Sequence, residues 1–161
     1  MKDSDIPCCI VPSKRSNGLV RISEAASLGL HTMALLARES QHRFTTQEIA
    51  ERLSASGHHL AKVLQRLARA GLVGGVRGPQ GGFQLARPAE ETKLLEIYEA
   101  VEGPLSVDGC LLARAACDGK TQCDMGEIFG KVHQLVVEYL SKTTLAELAG
   151  GAAFLREPTD D

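Results

Sequence analysis

The sequence predicts a mainly α-helical fold with one small β-hairpin, arranged as a winged helix-turn-helix domain followed by a long dimerisation helix. Aromatic residues make up only 4% of the chain and Trp is absent, so the core must consist of aliphatic side chains, which favours helices. Apolar residues recur at helical spacing along most of the chain. The exception is the glycine-rich stretch LVGGVRGPQGGFQLARP, which is typical of two paired strands.

Pattern and composition divide the 161 residues into five segments. Residues 1–20 lack periodicity and predict a flexible N-terminal arm. The winged helix-turn-helix domain follows at 21–88, an acidic helix and cysteine loop at 89–124, the dimerisation helix at 125–149 and a flexible C-terminal tail at 150–161. Because no stretch has the length and apolarity of a signal peptide or membrane span, we expect a cytoplasmic protein with no membrane partner.

The first two helices begin at predicted caps. Ser23 is a predicted N-cap, and the apolar residues that follow it at alternating four- and three-residue spacing predict a helix to about Glu39. Thr45 and Glu48 have the spacing of a capping box, which predicts the start of a short second helix.

A third helix, predicted to begin at Ser56 and to end at Gly71, has two contrasting faces. Its apolar face consists of Leu60, Val63, Leu64 and Leu67. Its opposite face is polar and basic and consists of His58, His59, Lys62, Gln65, Arg66 and Arg69. Periodicity alone leaves two interpretations open: the solvated face of an ordinary helix, or a helix that enters the DNA major groove.

Directly after this helix, residues 72–76 and 82–86 predict the strands of a β-hairpin with Arg77 at its bend. A helix-turn-helix followed by a hairpin with a basic tip is the plan of a winged helix, whose third helix enters the major groove while the wing contacts a neighbouring groove or the backbone. A phosphate-binding nucleotide loop is disfavoured because no Gly-Lys-Ser/Thr is present and no helix follows the turn.

The charge distribution separates two parts of the chain. Residues 42–88 contain seven Lys or Arg against two acids, whereas residues 89–128 contain three bases against nine acids. Because DNA is a polyanion, this asymmetry favours nucleic-acid binding by the first part and a different task for the second.

Two further helices are predicted after the wing. An acidic helix at 92–101 stops at Gly103 and Pro104, and a long helix follows at 125–149. The long helix has an apolar seam with alternating three- and four-residue spacing, formed by Met125, Ile128, Val132, Leu135 and Tyr139. This seam predicts a homodimer, and the alternative is that it packs against its own domain.

Three of the five cysteines lie in the segment CLLARAACDGKTQC, as Cys110, Cys117 and Cys123. Disulfides are rare in the cytosol, so these thiols call for a metal, redox or burial explanation. Structural zinc sites usually contain a pair of cysteines two to four residues apart, which this segment lacks. Iron-sulfur clusters accept wider spacing, but three thiolates leave one ligand unassigned.

The sequence resembles the Rrf-two type of bacterial transcriptional regulators, the IscR/NsrR-like family, from about Leu19 to Leu148. The most specific portion is RLARAGLVGGVRGPQGGFQLARP, residues 66–88, in which an arginine-glycine-proline wing precedes a double glycine and an aromatic residue. The stretch RISEAASLGLHTMALLA resembles the family's first helix and TTLAELA its C-terminal end, and the three cysteines occupy its cluster loop.

The resemblance implies a dimeric regulator that binds a double-stranded DNA operator and senses redox state, nitric oxide or iron-sulfur status, with repression the expected sign. It assigns Cys110, Cys117 and Cys123 to an iron-sulfur cluster, with 2Fe-2S favoured over 4Fe-4S. Together with the basic face of the third helix, it gives the residues expected at the DNA: Ser56, His58, His59, Lys62, Arg66 and Arg77. We expect no enzyme activity, because the sequence offers no constellation of nucleophile and base.

Two departures from the family pattern leave the fourth cluster ligand open. Family members typically place five residues between the first two cysteines, and this chain has six. The IscR branch has a histidine three residues after the last cysteine, where this chain has Gly126. In other branches the ligand comes from the first helix of the partner subunit, which favours His31, with Glu24, Asp124 and His133 as alternatives.

Two other functions fit the cysteines. They suit the reactive thiols of a cluster-free family member that is regulated by thiol oxidation or by a partner protein. They also suit an iron-sulfur or zinc protein with a non-regulatory role, such as an electron carrier, although a winged helix would then be unexplained.

Overall fold

The structure is a computed structural model and describes residues 22–76, 78, 81–105 and 124–151, with side chains from Glu127 onward in the last range. In these ranges the chain forms helices and one antiparallel pair of strands. Their order is α1 (Glu24–Arg38), α2 (Thr46–Arg52), α3 (Gly57–Arg69), β1 (Val73–Val76), β2 (Gly82–Leu85), α4 (Leu94–Glu102), α5 (Asp124–Lys142) and α6 (Leu145–Gly151). The predicted mainly α fold with a winged helix-turn-helix is confirmed.

The helix ends follow the local chemistry of the sequence. The Ser23 hydroxyl accepts a hydrogen bond from the Ala26 amide, as expected of an N-cap. Thr45 and Glu48 form the predicted capping box, with each side chain accepting from the other residue's backbone amide. Gly71 follows α3 with φ +70, a left-handed conformation that suits glycine and ends the helix.

The core lies where α1 packs on α3 and α4. Its fully buried side chains come from every part of the helix-turn-helix and from the C-terminal helix, and the largest are Phe44, Met33, Leu35, Leu36, Ile49, Leu60, Leu64, Leu67, Leu72, Ile97, Leu145 and Val63. Aliphatic residues dominate this set, as the low aromatic content requires. The apolar face predicted for α3 is the face it buries.

The hairpin is fixed to the helix-turn-helix by the backbone of the segment between α1 and α2. β1 and β2 pair from Val73 opposite Leu85 to Val76 opposite Gly82. Phe44 adds a bridge to Phe83, in which its amide donates over 3.0 Å and its carbonyl accepts over 2.7 Å. The wing therefore has a fixed base beside α1 and α3.

The single long helix predicted at 125–149 is wrong, because the chain breaks at Thr143 and Thr144 into α5 and α6. Leu145 and Ala146, at the start of α6, donate their amides to the carbonyls of Thr92 and Ala89 over 2.8 and 3.2 Å. These amides have no partner within their own helix, so binding to the chain before α4 stabilises the break. Leu145 becomes fully buried as a result.

The remaining predicted segments lie wholly or partly outside the described residues. The arm at 1–20 and the cysteines lie outside the described residues. Of the tail predicted at 150–161, Gly150 and Gly151 belong to α6, and the rest lies outside the described residues.

Candidate nucleic-acid interface and cysteine segment

Four side chains share the exposed face of α3: His58, Lys62, Gln65 and Arg69. At the helical repeat they fall within about 60° around the axis, opposite the buried leucines, and we call them the α3 stripe. None of them has an ion pair with another described residue. Their charge and hydrogen-bonding groups therefore face solvent rather than the protein.

The other two basic residues predicted on α3 lie beside the stripe and contact neighbouring helices. His59 Nδ1 is 3.6 Å from Glu24 Oε1 in the first turn of α1. The guanidinium of Arg66 donates to the backbone carbonyl of Val101 in α4. The face predicted as one basic surface is thus divided into a stripe without ion pairs to described residues and a flank whose side chains contact neighbouring helices.

Ser56 occupies the N-cap position of α3, but its hydroxyl makes no capping hydrogen bond. Ser23 and Thr45 both use their hydroxyls to cap. The exposed Ser56 hydroxyl therefore differs from the other two caps in lacking a backbone partner.

The tip of the wing requires glycine where the chain turns back. A β-carbon on Gly81 would lie 2.2 Å from the carbonyl oxygen of Val76 and 2.8 Å from that of Gly78. No other residue fits this turn without moving the backbone. Val76, at the end of β1, is exposed. Arg77, predicted at the DNA, lies outside the described residues.

Arg43 is a candidate that the sequence did not single out. Its Nε donates to Gln84 Oε1 in β2 over 3.0 Å, which places an exposed guanidinium at the base of the wing. The position depends on the Phe44–Phe83 bridge, and nothing in the local sequence indicates that bridge.

Other basic residues of the segment are used within the fold. Arg52 pairs with Glu39 over 3.0 Å and stacks near the Phe44 ring, and Arg87 pairs with Glu96. The excess of bases at 42–88 therefore overstates the charge available for a ligand.

Glu48, an acid within α2, is also committed to structure. The backbone amide and then the hydroxyl of Thr45 hold the pKa of Glu48 below its ordinary value, with a smaller contribution from His42, which lies 3.8 Å away. The carboxylate is thus held in its capping role.

His31, the favoured fourth ligand, is half-buried in the middle of α1. Its Nδ1 lies 2.7 Å from the carbonyl of Ser27, four residues earlier. Because a carbonyl only accepts, Nδ1 must carry the proton, and Nε2 is then the nitrogen with the lone pair. A backbone carbonyl on one nitrogen is the usual arrangement for a histidine that binds a metal through the other.

The three cysteines of the segment, Cys110, Cys117 and Cys123, lie outside the described residues. Across the ranges the structure describes, no three His, Cys, Asp or Glu side chains come together as a metal site. Of the helices in those ranges, none combines the length and apolarity needed to cross a bilayer.

Comparisons with known proteins agree with this architecture. The sequence pattern of the Rrf2 family, described as "Iron-dependent Transcriptional regulator", matches residues 22–151. The HTH-type transcriptional regulator IscR of Cereibacter sphaeroides is 42% identical over 77 residues, 48% of this chain. That alignment spans about half the length of the relative, 50%.

Solved structures resemble the chain over more of its length. CymR of Bacillus subtilis, described as the global cysteine regulator, superposes with a TM-score of 0.72 at 28% identity, covering 83% of this chain and 98% of that protein. IscR of T. potens superposes with a TM-score of 0.66 at 28% identity, covering 87% and 93%. CymR of Staphylococcus aureus superposes with a TM-score of 0.64 at 31% identity, covering 79% and 96%. The chain belongs to the Rrf2 family.

Proposed function

We propose that the chain is a transcriptional regulator that binds double-stranded DNA as a homodimer. The observation that carries this proposal is the α3 stripe, which presents cationic and hydrogen-bonding groups to solvent beside a fixed wing. Such a helix fits the major groove, and the Arg43 side of the wing and Arg77 supply charge for the adjacent backbone.

The side chains of the α3 stripe suit different groups of the DNA. Lys62 and Arg69 suit phosphates or guanine edges, whereas Gln65 is able to pair with adenine. Ser56 and His58, at the start of the helix, are close to where base edges are read in helix-turn-helix complexes. His59 is able to contact DNA if its ring moves away from Glu24, whose carboxylate lies 3.6 Å from Nδ1.

The test begins with a selection of duplexes from a random-sequence pool by the purified protein. A consensus of two related half-sites about one helical turn apart is the expected result. Binding of the selected duplex is then measured over a range of salt concentrations. Lys62→Ala should weaken binding and lower the salt slope by about one, because one fewer phosphate counterion is released. Recovery of no consensus would overturn the proposal.

We further propose that Cys110, Cys117 and Cys123 hold an iron-sulfur cluster, with 2Fe-2S favoured. Support comes from the soft thiolate donors, the family's description as iron-dependent and the likeness to IscR proteins. Bound there, the cluster would supply a centre whose charge and integrity change with redox state or nitric oxide. His31 is the proposed fourth ligand, since the Ser27 carbonyl orients its ring.

Anaerobic purification with iron, sulfide and visible-absorption measurements tests the cluster. Iron and sulfide in equal amounts are expected, with loss of both in a Cys117→Ala variant. His31→Ala should leave a less stable cluster. A colourless, iron-free protein that still selects DNA would exclude the cluster and retain the regulator.

One alternative function has its own support. The chain is similar to CymR of Bacillus subtilis, described as the global cysteine regulator, and to CymR of Staphylococcus aureus, for which an oxidised form has been solved. Regulation by thiol oxidation would need the same three cysteines without iron. In that case peroxide should change DNA affinity in the iron-free protein, and Cys→Ala variants should abolish the change.

A further inference from the structure

We propose that Arg66 is a positioning residue and not a DNA contact, because its guanidinium ties α3 to the end of α4. The contact would fix the angle at which the α3 stripe meets the groove. This inference rests on the proposed DNA-binding function.

The acceptor is a carbonyl that its own helix leaves unpaired. Val101 lies in the last turn of α4, where carbonyls lack partners within the helix. The amide four residues on, that of Leu105, donates instead to Glu99 Oε1 over 3.2 Å. Val101 is only 3% exposed, so without Arg66 a buried carbonyl would be left unpaired. A guanidinium at this end also complements the negative pole of the helix.

A second set of contacts joins the same three helices. His59, on the Arg66 side of α3, faces Glu24 at the start of α1. Ser23, which caps α1, donates its hydroxyl to Glu102 Oε1 at the end of α4 over 2.7 Å. The flank of α3, the first turn of α1 and the last turn of α4 are therefore connected by polar contacts at one end of the core.

The same geometry argues against a role at a phosphate. One guanidinium N–H of Arg66 is committed to the Val101 carbonyl. If Arg66 gave up this contact to bind a phosphate, the affinity gained there would be lower by about tenfold. The stripe next to it already provides Lys62 and Arg69, which have no such partner in the part of the chain that the structure describes.

The contact also gives the cysteine segment a physical link to the DNA-binding face. The chain runs from the end of α4 at Gly103 toward residues 106–123, which contain the three cysteines. A displacement of the α4 end would move α3 through Arg66.

Arg66→Met removes the charge and the donors but keeps an apolar stem, and Arg69→Met is the matched control on the α3 stripe, one turn away. Binding is measured as a function of salt, with a duplex selected by the wild type and a scrambled duplex of the same composition. For Arg66→Met, the preference for the selected duplex should fall about tenfold while the salt slope stays unchanged. For Arg69→Met, binding to both duplexes should fall and the slope should drop by about one.

A measurement without DNA separates this inference from the proposed function. Amide hydrogen exchange at residues 99–103 should be faster in Arg66→Met than in Arg69→Met, and the thermal midpoint lower. Arg66→Lys, which retains a charged donor, should recover part of both. If the wild type selects no DNA, the proposed function fails, yet these readouts still decide whether the contact holds α4.

A salt slope lowered by about one in Arg66→Met would overturn the inference, as would unchanged exchange and unchanged preference. Should Arg66→Met not fold, Arg66→Gln replaces it, because glutamine keeps a neutral donor. An unchanged slope in Arg66→Gln supports positioning, and a lowered slope contradicts it.

Discussion

Gly29 sets the separation between α1 and its neighbours. A β-carbon at this position would lie 2.9 Å from Val101 Cγ2 in α4 and 3.6 Å from Val63 Cγ1 in α3. Valine is branched at Cβ and has little rotamer freedom, so the first contact is not relieved by a small side-chain rotation. The close approach of α1 to the end of α4 therefore depends on glycine in the middle of a helix.

Gly29→Ala should destabilise the fold by about 1 kcal/mol. Overpacking costs about 1–3 kcal/mol, and the higher helix propensity of alanine offsets up to about 1 kcal/mol of it. Urea unfolding followed by circular dichroism measures the difference.

Gly130→Ala is the matched control, since a β-carbon on Gly130 in α5 meets no atom of the described residues within 4 Å. This variant should be more stable than the wild type by up to about 1 kcal/mol. Equal free energies of unfolding for the two alanine variants would show that α4 moves away from the added methyl group of residue 29 without destabilising the fold.

The start of α6 shows how one short motif ends one helix and begins another. Thr144 and Glu147 form a second capping box, in which the Thr144 amide donates over 2.6 Å and the Glu147 amide over 3.2 Å. The bridge between Lys93 and Thr144 fixes this turn beside α4. Leu145 is thereby directed into the core.

Thr144→Ala should lower the free energy of unfolding by about 1 kcal/mol, because the Glu147 amide loses its acceptor. Thr143→Ala is the control, since among the described contacts Thr143 uses only its backbone, accepting from the Leu94 amide over 3.1 Å and donating to Tyr139. Chemical denaturation at neutral pH compares the two. A similar loss in both variants would mean that the cap itself contributes nothing.

The same box makes stability depend on pH. The backbone amide and then the hydroxyl of Thr144 hold the pKa of Glu147 below its ordinary value of 4.5. Since the folded pKa is the lower one, the contact stabilises the fold fully above 4.5 and is lost as pH falls through the folded-state pKa. The wild type should therefore exceed Glu147→Gln in thermal midpoint at neutral pH, with the gap closing in acid. A gap that persists at low pH would contradict the assignment.

These helix ends show what the sequence was able to predict. A break in apolar periodicity precedes the Thr45 box, so the sequence predicts a helix start there, and its contacts are as expected. At the identical spacing of Thr144 and Glu147, apolar residues recur on both sides, so the sequence predicts one continuous helix instead. The Thr-x-x-Glu spacing alone predicts a helix start in both places. The apolar periodicity that runs across Thr143 and Thr144 wrongly indicates a continuous helix.

The division of the α3 surface was not predictable from the helix alone. Periodicity placed His59 and Arg66 on the polar side, which is correct. Glu24 lies 35 residues before its partner His59 in sequence, and Val101 lies 35 residues after its partner Arg66. Only the packing of α1 and α4 against α3 brings them together, and no local pattern encodes that arrangement.

At the scale of the whole molecule, α5 has more apolar surface than the described part of the chain covers. One side packs inward through Leu140, which is buried, and Val136. A second side carries the pairs Glu127–Lys131 and Glu138–Lys142. The third exposes large apolar residues, with Ile128 53%, Leu135 66% and Tyr139 65% accessible.

This third side carries Ile128, Leu135 and Tyr139, three of the five residues of the seam predicted from spacing. Solvent exposure of three large apolar side chains on one side of a helix favours a second copy as its cover. Pairing along α5 would place two α3 stripes at a fixed separation, as two half-sites require. The dimer is thus part of the DNA-binding proposal.

Leu135→Glu should convert the protein to a monomer, because it places two like charges at the centre of the paired seam. Gln134→Glu is the matched control: it adds the same charge one residue earlier, on the side of α5 that carries the ion pairs. Light scattering after size exclusion gives the mass of each variant. Both should fold, since Leu135 is largely exposed.

DNA binding then distinguishes a dimer that reads DNA from one that forms for another reason. A monomer has one DNA-binding domain instead of two, so Leu135→Glu should bind the selected duplex at least about 100-fold more weakly than the wild type. A duplex with one half-site should be bound equally by the wild type and Leu135→Glu. A monomeric Leu135→Glu with wild-type affinity for the full site would separate dimerisation from recognition. A dimeric Leu135→Glu would show that the exposed side of α5 is covered by something other than a second copy of this chain.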